Sequence, residues 1–183
     1  KRHETNANPY VNTPGYLRSN YIMDTNLVRF QTGEGKFQLG ESVRGHDVFI
    51  ITDVLSHSLN MNLSGEDHVM SPDDHWRDLL RIVSLCNGKA RRINVIMPFM
   101  YESRTEIKDN TTESQDVAAA LQQLYDLGVA NLITFDPHDP RIYNAVPLLG
   151  VDMPKSAYKI ISTVFTKFVS LKDDKEKTMV ITP

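Results

Sequence analysis

The fold is decided by residues 73–97, which read DDHWRDLLRIVSLCNGKARRINVIM. In the first part of this stretch apolar residues recur at three- and four-residue spacing, which predicts an amphipathic helix that the two aspartates at its start can cap. Asn87 and Gly88 are placed to end that helix. Residues 93–97 then form an apolar run with the length of a buried strand. The stretch therefore predicts a helix followed by a strand, the repeating unit of an α/β protein.

The same alternation extends to both sides of this stretch. Before it, residues 48–51 (VFII) form an apolar run that is short enough for a strand covered on both faces. After it, Thr112 and Gln115 form a capping box that predicts a second helix ended by Gly128. Further elements are predicted as strands at residues 132–135, 146–149 and 179–181, and as a helix over residues 156–168. The economical architecture is a mostly parallel sheet with helices on both faces, joined by right-handed crossovers.

The chain opens with a polar segment that precedes a predicted hairpin. Residues 1–20 have the composition of an extended tail or of a segment that lies on a neighbouring molecule. Two short runs at residues 26–30 and 36–39 are separated by the sequence TGEG at residues 32–35. This turn signal between two apolar runs predicts an antiparallel strand pair at the N-terminal side of the sheet.

The composition excludes several classes of function. Because 20 Lys and Arg stand against 23 Asp and Glu, the formal net charge is −3, which leaves no positive field for a nucleic-acid backbone. No apolar run approaches the roughly 18 to 20 residues that span a bilayer, and no signal peptide opens the chain, so we expect a cytoplasmic protein without a membrane partner. The single Cys86 excludes an internal disulfide, and its place on an apolar helix face predicts a buried structural residue.

Ligands of parallel α/β sheets bind at the carboxyl ends of the strands, so the loops at residues 52–72, 99–111 and 136–145 are candidate sites. The last loop places two carboxylates, an imidazole and a guanidinium within six residues, in the order Asp136, His138, Asp139 and Arg141. Carboxylate and imidazole can complete a magnesium or manganese shell when a phosphate supplies the remaining ligands. The alternative for this loop is a capped polar turn that binds nothing.

The loop after the second predicted strand carries Arg104 and Lys108, which could bind phosphates. The alternative is a solvated loop of mixed charge. Neither glycine-rich nucleotide pattern occurs in the sequence, so a nucleotide would have to be held in another way. The histidines at residues 57, 68 and 75 have spacings that fit no compact zinc-ligand pair, and they are expected to hold no metal.

Several of these segments together resemble the ribose-phosphate pyrophosphokinase family, also called phosphoribosyl pyrophosphate synthetases. Residues 39–50, LGESVRGHDVFI, are nearly identical to the segment that leads into the first central strand of that family. Residues 92–98 keep its basic, apolar and proline order, and residues 104–136 follow its pattern without a gap. The resemblance covers residues 30–183, with extra residues in the 52–72 loop, and it implies a phosphoribosyltransferase-like α/β fold.

Members of this family transfer the pyrophosphoryl group of magnesium-ATP to ribose 5-phosphate, giving AMP and phosphoribosyl pyrophosphate. The resemblance places Phe30, Thr32 and Glu34 on a hairpin that holds the adenine of ATP bound to a neighbouring subunit. It therefore implies ATP and ribose 5-phosphate as ligands, Mg²⁺ as cofactor, and self-association through the hairpin of residues 30–39.

The same resemblance implies functions for the loops at residues 99–111 and 136–145. Arg104, Thr105 and Glu106 fall on the family's Arg-Gln-Asp motif near the ATP phosphates and ribose, and Lys108 falls on the basic loop that follows. Asp136 and His138 fall on its Asp-x-His motif, in which the histidine binds magnesium.

The resemblance also divides the chain into regions. Residues 21–178 correspond to the amino-terminal domain of the family, and residues 179–183 to the start of a junction with a second domain. Since the chain lacks an initiator Met and stops after an apolar run, we expect a fragment. The family's catalytic lysine and arginine belong to the second half, so no catalytic residue is assigned here and the fragment alone is expected to be inactive.

This sequence departs from the family at several functional positions. Thr105 and Glu106 replace Gln and Asp, Thr32 replaces Asn or Asp, and the basic loop keeps only Lys108. Less positive charge then faces a triphosphate. Two hypotheses follow, namely the amino-terminal half of an active synthetase and a non-catalytic homologue that binds nucleotide as a regulatory or assembly subunit. A third is an α/β domain with kinship to the family in fold only.

Overall fold

The computed structural model of the chain describes residues 20–105 and 113–155, together with residues 159, 162 and 163. From residue 66 onward its elements alternate between strands and helices, as the sequence predicts. In chain order they are β1 (Thr25–Arg29), β2 (Gly35–Leu39), β3 (Asp47–Ile51), β4 (Asn60–Leu63), β5 (Glu66–Val69), α1 (Pro72–Cys86), β6 (Arg92–Met97), α2 (Asp116–Asp126), β7 (Val129–Thr134), a 3-10 helix (Pro140–Ala145) and β8 (Gly150–Asp152).

A parallel sheet of four strands, in the order β3-β6-β7-β8, forms the centre of the structure. The predicted α/β fold with a mostly parallel sheet and an N-terminal hairpin is confirmed. Strands β1 and β2 pair antiparallel, with Arg29 opposite Gly35.

Helix α1 begins with a capping box, one turn of chain that satisfies its first backbone donors. The Ser71 hydroxyl accepts a hydrogen bond from the Asp74 amide at 3.2 Å, and the Asp74 carboxylate accepts one from the Ser71 amide at 2.8 Å. The N-cap is therefore Ser71, and one of the two predicted aspartates acts as its partner. At the other end Asn87 is the C-cap and Gly88 adopts a φ of +70°, as its position predicts.

Helices α1 and α2 share one hydrophobic core with the same face of the sheet, to which Ile50, Val95 and Leu132 contribute. The chain crosses the sheet in one direction, from β3 to β6 to β7, and right-handed crossovers then place both helices on one face. The sequence predicts helices on both faces, but α1 and α2, the two α-helices that the structure describes, lie on the same one, and most of the third predicted helix falls outside the described residues. On the opposite face of β3, Phe49 is 60% exposed and Ile51 is 75% exposed. The prediction that β3 is covered on both faces is therefore wrong for the residues that the structure describes.

Two predicted boundaries in the second half are also wrong. Helix α2 begins at Asp116 rather than at the Thr112 capping box, and its N-cap residue Gln115 makes no side-chain capping bond. The strand expected at residues 146–149 lies further on, at Gly150–Asp152, after the 3-10 helix. Pro147 has no amide hydrogen to donate to a sheet, which favours a strand that starts beyond it.

The 52–72 segment contains a hairpin that the sequence pattern did not predict. Strands β4 and β5 pair antiparallel with Leu63 opposite Glu66, so two residues form the turn. Ser64 and Gly65 have φ values of +55° and +97°, the left-handed pair that a type I′ turn requires.

Several predictions fall outside the described residues. They are the tail at residues 1–19, the positions Glu106 and Lys108, most of the helix over residues 156–168, and the strand at residues 179–181. Within the described part, no helix has the length and apolar character needed to cross a membrane. Cys86 is fully buried, as predicted, and burial raises the pKa of its thiol.

Candidate functional site

Two loops meet at the carboxyl edge of the central sheet. Strands β6 and β7 are parallel neighbours, with Met97 opposite Thr134, so the loops that follow them leave from the same edge. The Phe135 amide donates a hydrogen bond to the Pro98 carbonyl at 3.2 Å, which joins the two loops directly. The loop that carries Arg104 and the loop that carries Asp136 and His138 are therefore adjacent, as expected for a parallel sheet.

The loop after β6 is held by helix α1 through an aromatic contact. The rings of Tyr101 and Trp76 are stacked, with centroids 4.6 Å apart and an interplanar angle of 7°. The Tyr101 hydroxyl donates to the Asp73 carboxylate at 2.6 Å. The Trp76 indole donates in turn to the Gln123 side chain of α2 at 3.3 Å. Both helices therefore fix the start of the loop on which Arg104 lies.

Thr105 has a structural role that the sequence did not reveal. Its hydroxyl donates to the Glu102 carbonyl at 2.9 Å and accepts from the Val117 amide at 3.1 Å. Val117 lies in the first turn of α2, so Thr105 supplies the N-terminal hydrogen bond that Gln115 does not. The role of Thr105 in nucleotide binding stays a prediction. Its hydroxyl already makes a hydrogen bond to helix α2.

Acidic groups surround this loop. Glu102 adopts a φ of +55° and is only partly exposed. Burial raises the pKa of its carboxyl, and the charges of Asp116 and Asp73 raise it further. Burial and the hydrogen bond to Asp73 likewise raise the pKa of the Tyr101 hydroxyl. Arg104 is exposed and follows Glu102 by two positions in the chain.

Replacing Glu102 with glutamine is expected to stabilise the fold at neutral pH. Because the folded-state pKa is raised, the native state binds the proton more tightly than the unfolded state, and stability contributed by this group falls as pH rises through that pKa. The gain from E102Q should therefore be largest at pH 7 and vanish below roughly pH 4, near the ordinary pKa of a glutamate. Urea denaturation at several pH values measures it. The exposed Glu66→Gln serves as control, and an equal gain at all pH values would contradict the prediction.

The loop after β7 contains one satisfied ion pair. The Asp139 carboxylate accepts from the Arg141 amide at 2.8 Å and from its guanidinium at 2.7 and 3.0 Å. These bonds hold the pKa of Asp139 down at about 2 and begin the 3-10 helix. Asp139 and Arg141 thus form the capped turn that was the alternative for this loop. The metal-ligand role of Asp136 and His138 stays a prediction.

The donor set fits a magnesium ion that arrives with phosphate. Asp136 and His138 are both exposed, and Asp136 adopts a φ of +48°, a strained conformation for a residue other than glycine. Among the described residues no cluster of three or more His, Cys, Asp or Glu side chains could hold a metal. Protein-bound Mg²⁺ commonly uses one or two carboxylates and takes its other ligands from water and substrate phosphates. The residues present match that mode of binding.

Phe30, Thr32 and Glu34 lie together on the turn at residues 30–34, which we call the β1–β2 turn. The Phe30 amide donates to the Glu34 carbonyl at 2.8 Å, and the Gly33 amide donates to the Phe30 carbonyl at 2.9 Å. The Thr32 hydroxyl donates to the Glu34 carboxylate at 3.3 Å. Phe30 is 47% exposed. The turn is thus closed by its own hydrogen bonds and presents an aromatic ring beside a carboxylate.

A partly buried ion cluster that sequence reasoning missed connects this hairpin to helix α1. Arg29 donates to one oxygen of Asp78 at 2.5 Å, and Arg81 donates to the other at 2.6 Å. Arg29 also donates to the Gly33 carbonyl at 3.2 Å. The signal in the sequence that could have revealed this cluster is Asp78, a carboxylate on a helix face that is otherwise rich in buried apolar residues.

The fold and the two adjoining loops define an α/β domain with a candidate phosphate and metal site at the carboxyl edge of a parallel sheet. Comparison with known proteins supplies the family. Residues 17–128 match the N-terminal domain of ribose phosphate pyrophosphokinase, and the chain belongs to this family. The matched region ends before β7, so Asp136 and His138 lie beyond it.

Individual relatives agree with this assignment. The chain is 31% identical over 122 residues to ribose-phosphate pyrophosphokinase 1 of Candida albicans, a match covering 66% of this chain and 34% of that protein. It is 32% identical over 114 residues to ribose-phosphate pyrophosphokinase of Bacillus caldolyticus, covering 62% and 32% respectively. These matches span about a third of each relative's length.

A solved structure shares the fold. It is the phosphoribosylpyrophosphate synthetase from Mycobacterium smegmatis, which superposes with a TM-score of 0.65 at 20% identity and covers 81% of this chain and 45% of that one. The family and the fold class expected from the sequence are both confirmed.

Proposed function

We propose that the full-length protein is a ribose-phosphate pyrophosphokinase that transfers pyrophosphate from magnesium-ATP to ribose 5-phosphate, giving phosphoribosyl pyrophosphate and AMP. The observation that carries the proposal is the adjacency of the two sheet-edge loops, one with Arg104 and one with Asp136 and His138, in a chain that belongs to this family.

In this reaction the ribose 1-hydroxyl oxygen bonds to the β-phosphorus of ATP, the link between the α- and β-phosphates breaks, and AMP leaves with the bridging oxygen. Such a transfer depends on positioning and charge neutralisation more than on a covalent protein group. Arg104 and Lys108 are proposed to contact the ATP phosphates, and Thr105 and Glu106 to lie near the phosphates and the ribose of ATP. Asp136 and His138 are proposed to hold the Mg²⁺ that neutralises phosphate charge.

The β1–β2 turn is proposed to bind adenine through the ring of Phe30, with Thr32 and Glu34 as polar contacts. In the structure Arg29 joins this turn to α1, and Leu63 lies against Gly33 of the turn. We propose, from membership of the family, that the turn serves the nucleotide of a neighbouring subunit and that the protein self-associates through the hairpin. We place the protein in the cytoplasm.

The test is turnover by the full-length protein. ATP and ribose 5-phosphate should yield AMP in the presence of magnesium, and chelation of the metal should stop the reaction. No AMP at saturating substrate would defeat the proposal. Because the chain spans about a third of its relatives' length, the chain alone is expected to show no turnover.

A second candidate function is a non-catalytic subunit that binds nucleotide and regulates or assembles a synthetase. Two observations favour it, namely the acidic residues around Glu102, two positions before Arg104, and the use of the Thr105 hydroxyl by helix α2. Calorimetric binding of magnesium-ATP by a full-length protein that forms no AMP would select this function over the first.

A further inference from the structure

We propose that Arg29 and Asp78 are positioning residues that hold the β1–β2 turn in its nucleotide-binding conformation. The inference rests on the proposed role of this turn in binding adenine. It concerns side chains on β1 and α1 rather than the turn residues themselves.

The guanidinium of Arg29 connects the helix to the turn. One terminal nitrogen donates to Asp78 at 2.5 Å, and the other donates to the Gly33 carbonyl at 3.2 Å. Because a guanidinium is planar and rigid, the direction of one hydrogen bond fixes the direction of the other. The position of Asp78 on α1 therefore determines where the Gly33 carbonyl lies.

Burial of the Arg29–Asp78 ion pair makes it difficult to open. The side chains of Arg29 and Asp78 are only 13% and 12% exposed. Arg81 occupies the second oxygen of the same carboxylate at 2.6 Å. A buried carboxylate that loses a partner is left with uncompensated charge, so the cluster resists opening.

Two further contacts fit the same arrangement. A Cβ at Gly35 would lie 3.1 Å from the Arg29 guanidinium and 3.0 Å from that of Arg81, so the absence of a side chain lets both cations reach Asp78. In addition, Leu63 of the β4–β5 hairpin comes within 3.3 Å of the position that a Cβ of Gly33 would occupy. The turn is thus held by α1 through Arg29 and packed upon by a second hairpin.

Pre-organisation of the turn has a measurable consequence for binding. A turn that adopted its binding conformation only about a tenth of the time would bind about tenfold more weakly, because apparent affinity falls with the competent fraction. Loosening it should raise the Kd for magnesium-ATP about tenfold and raise the KM for ATP in parallel. The KM for ribose 5-phosphate and kcat should stay unchanged, because the turn contacts neither the second substrate nor the reacting atoms.

The experiment uses the full-length protein and two variants that perturb the cluster differently. Arg29→Lys keeps a charge beside Asp78 but lacks the fork that also reaches Gly33. Gly35→Ala keeps every charge and crowds the guanidiniums, and Gly35 has no positive φ that alanine would strain. Calorimetry measures the Kd for magnesium-ATP, and amide hydrogen exchange measures opening of residues 30–34. Faster exchange with a raised Kd is expected in both variants.

The matched control is Asp47→Asn. Asp47 also binds two guanidiniums, those of Arg91 and Arg92, but it lies at the start of β3, and both arginines are exposed. Its loss should leave the Kd and the exchange of the turn unchanged.

The outcomes separate this inference from the function on which it rests. If the unmodified protein does not bind magnesium-ATP, or if Phe30→Ala binds it as well as the unmodified protein, the proposed adenine role fails and the inference fails with it. If Phe30→Ala weakens binding while Arg29→Lys and Gly35→Ala bind normally, the positioning inference alone is overturned. Should Arg29→Lys fail to fold, Gly35→Ala decides the result. If Arg29→Lys and Gly35→Ala lower kcat and the affinity for both substrates alike, the variants are structurally damaged, and the positioning inference is also overturned.

Discussion

Replacing Trp76 with alanine is expected to lower the free energy of unfolding by about 3 to 5 kcal/mol, the range for removing a buried aromatic side chain. Trp76 is 6% exposed, stacks on Tyr101 and donates to Gln123, so it joins α1 to the sheet-edge loop and to α2. Loss of these contacts should lower the melting temperature by about 10 °C, given the usual relation for domains of this size. Thermal and urea denaturation measure the effect.

Trp76→Phe provides the control, since it keeps an aromatic ring against Tyr101 and removes the indole hydrogen bond to Gln123. Its cost should be about 1 kcal/mol, the net value of one hydrogen bond. If alanine and phenylalanine at this position cost the same, the stacking contact does not hold the loop. In the full-length protein Trp76→Ala should also weaken magnesium-ATP binding, because the start of the Arg104 loop loses its anchor.

Replacing His138 with alanine in the full-length protein is expected to reduce magnesium-dependent turnover by about 10- to 100-fold or more. Even groups that only orient metal ligands have effects of this size, and loss of a ligand should be at least as severe. The magnesium concentration needed for half-maximal rate should rise as well. The melting temperature should change little, because His138 is exposed. Rates measured over a magnesium titration test both expectations.

His68→Ala removes an exposed histidine from β5, on a different loop from Asp136 and His138, and should leave the magnesium titration unchanged. Equal magnesium dependence in His138→Ala and the unmodified protein would remove His138 from the metal site. The proposed function would then require another ligand, with Asp136 as the remaining candidate on that loop.

Much of the fold could be predicted because it depends on local patterns. The apolar spacing of α1 and the run at residues 93–97 identified a helix and a strand correctly within a few residues. The turn between β1 and β2 was visible as glycines between two apolar runs. The predictions failed where local signals conflicted. The sequence predicts a capping box at Thr112, but α2 begins at Asp116, and Thr105, eleven residues earlier, accepts the hydrogen bond from the amide in its first turn.

The candidate site was predictable only in outline. Strand order places the loops after β6 and β7 at one edge, and that follows from the alternation of elements. The strand order does not determine which charged side chains remain available to bind a ligand. Asp139 and Arg141 satisfy each other, whereas Asp136, three residues away, has an exposed carboxylate. The sequence shows these residues as one cluster, and only their side-chain directions separate structural from candidate binding groups.

The sequence by itself determined the strands and helices of the central sheet from β3 to β7 and the family, because apolar periodicity and contiguous motifs are written along the chain. The tertiary structure alone decided that Asp78 receives two guanidiniums, that Thr105 caps α2, and that β3 exposes Phe49 and Ile51. The physical reason is distance along the chain. Arg29 and Asp78 are separated by 49 positions, and no local pattern specifies which distant side chains will meet once the core has packed.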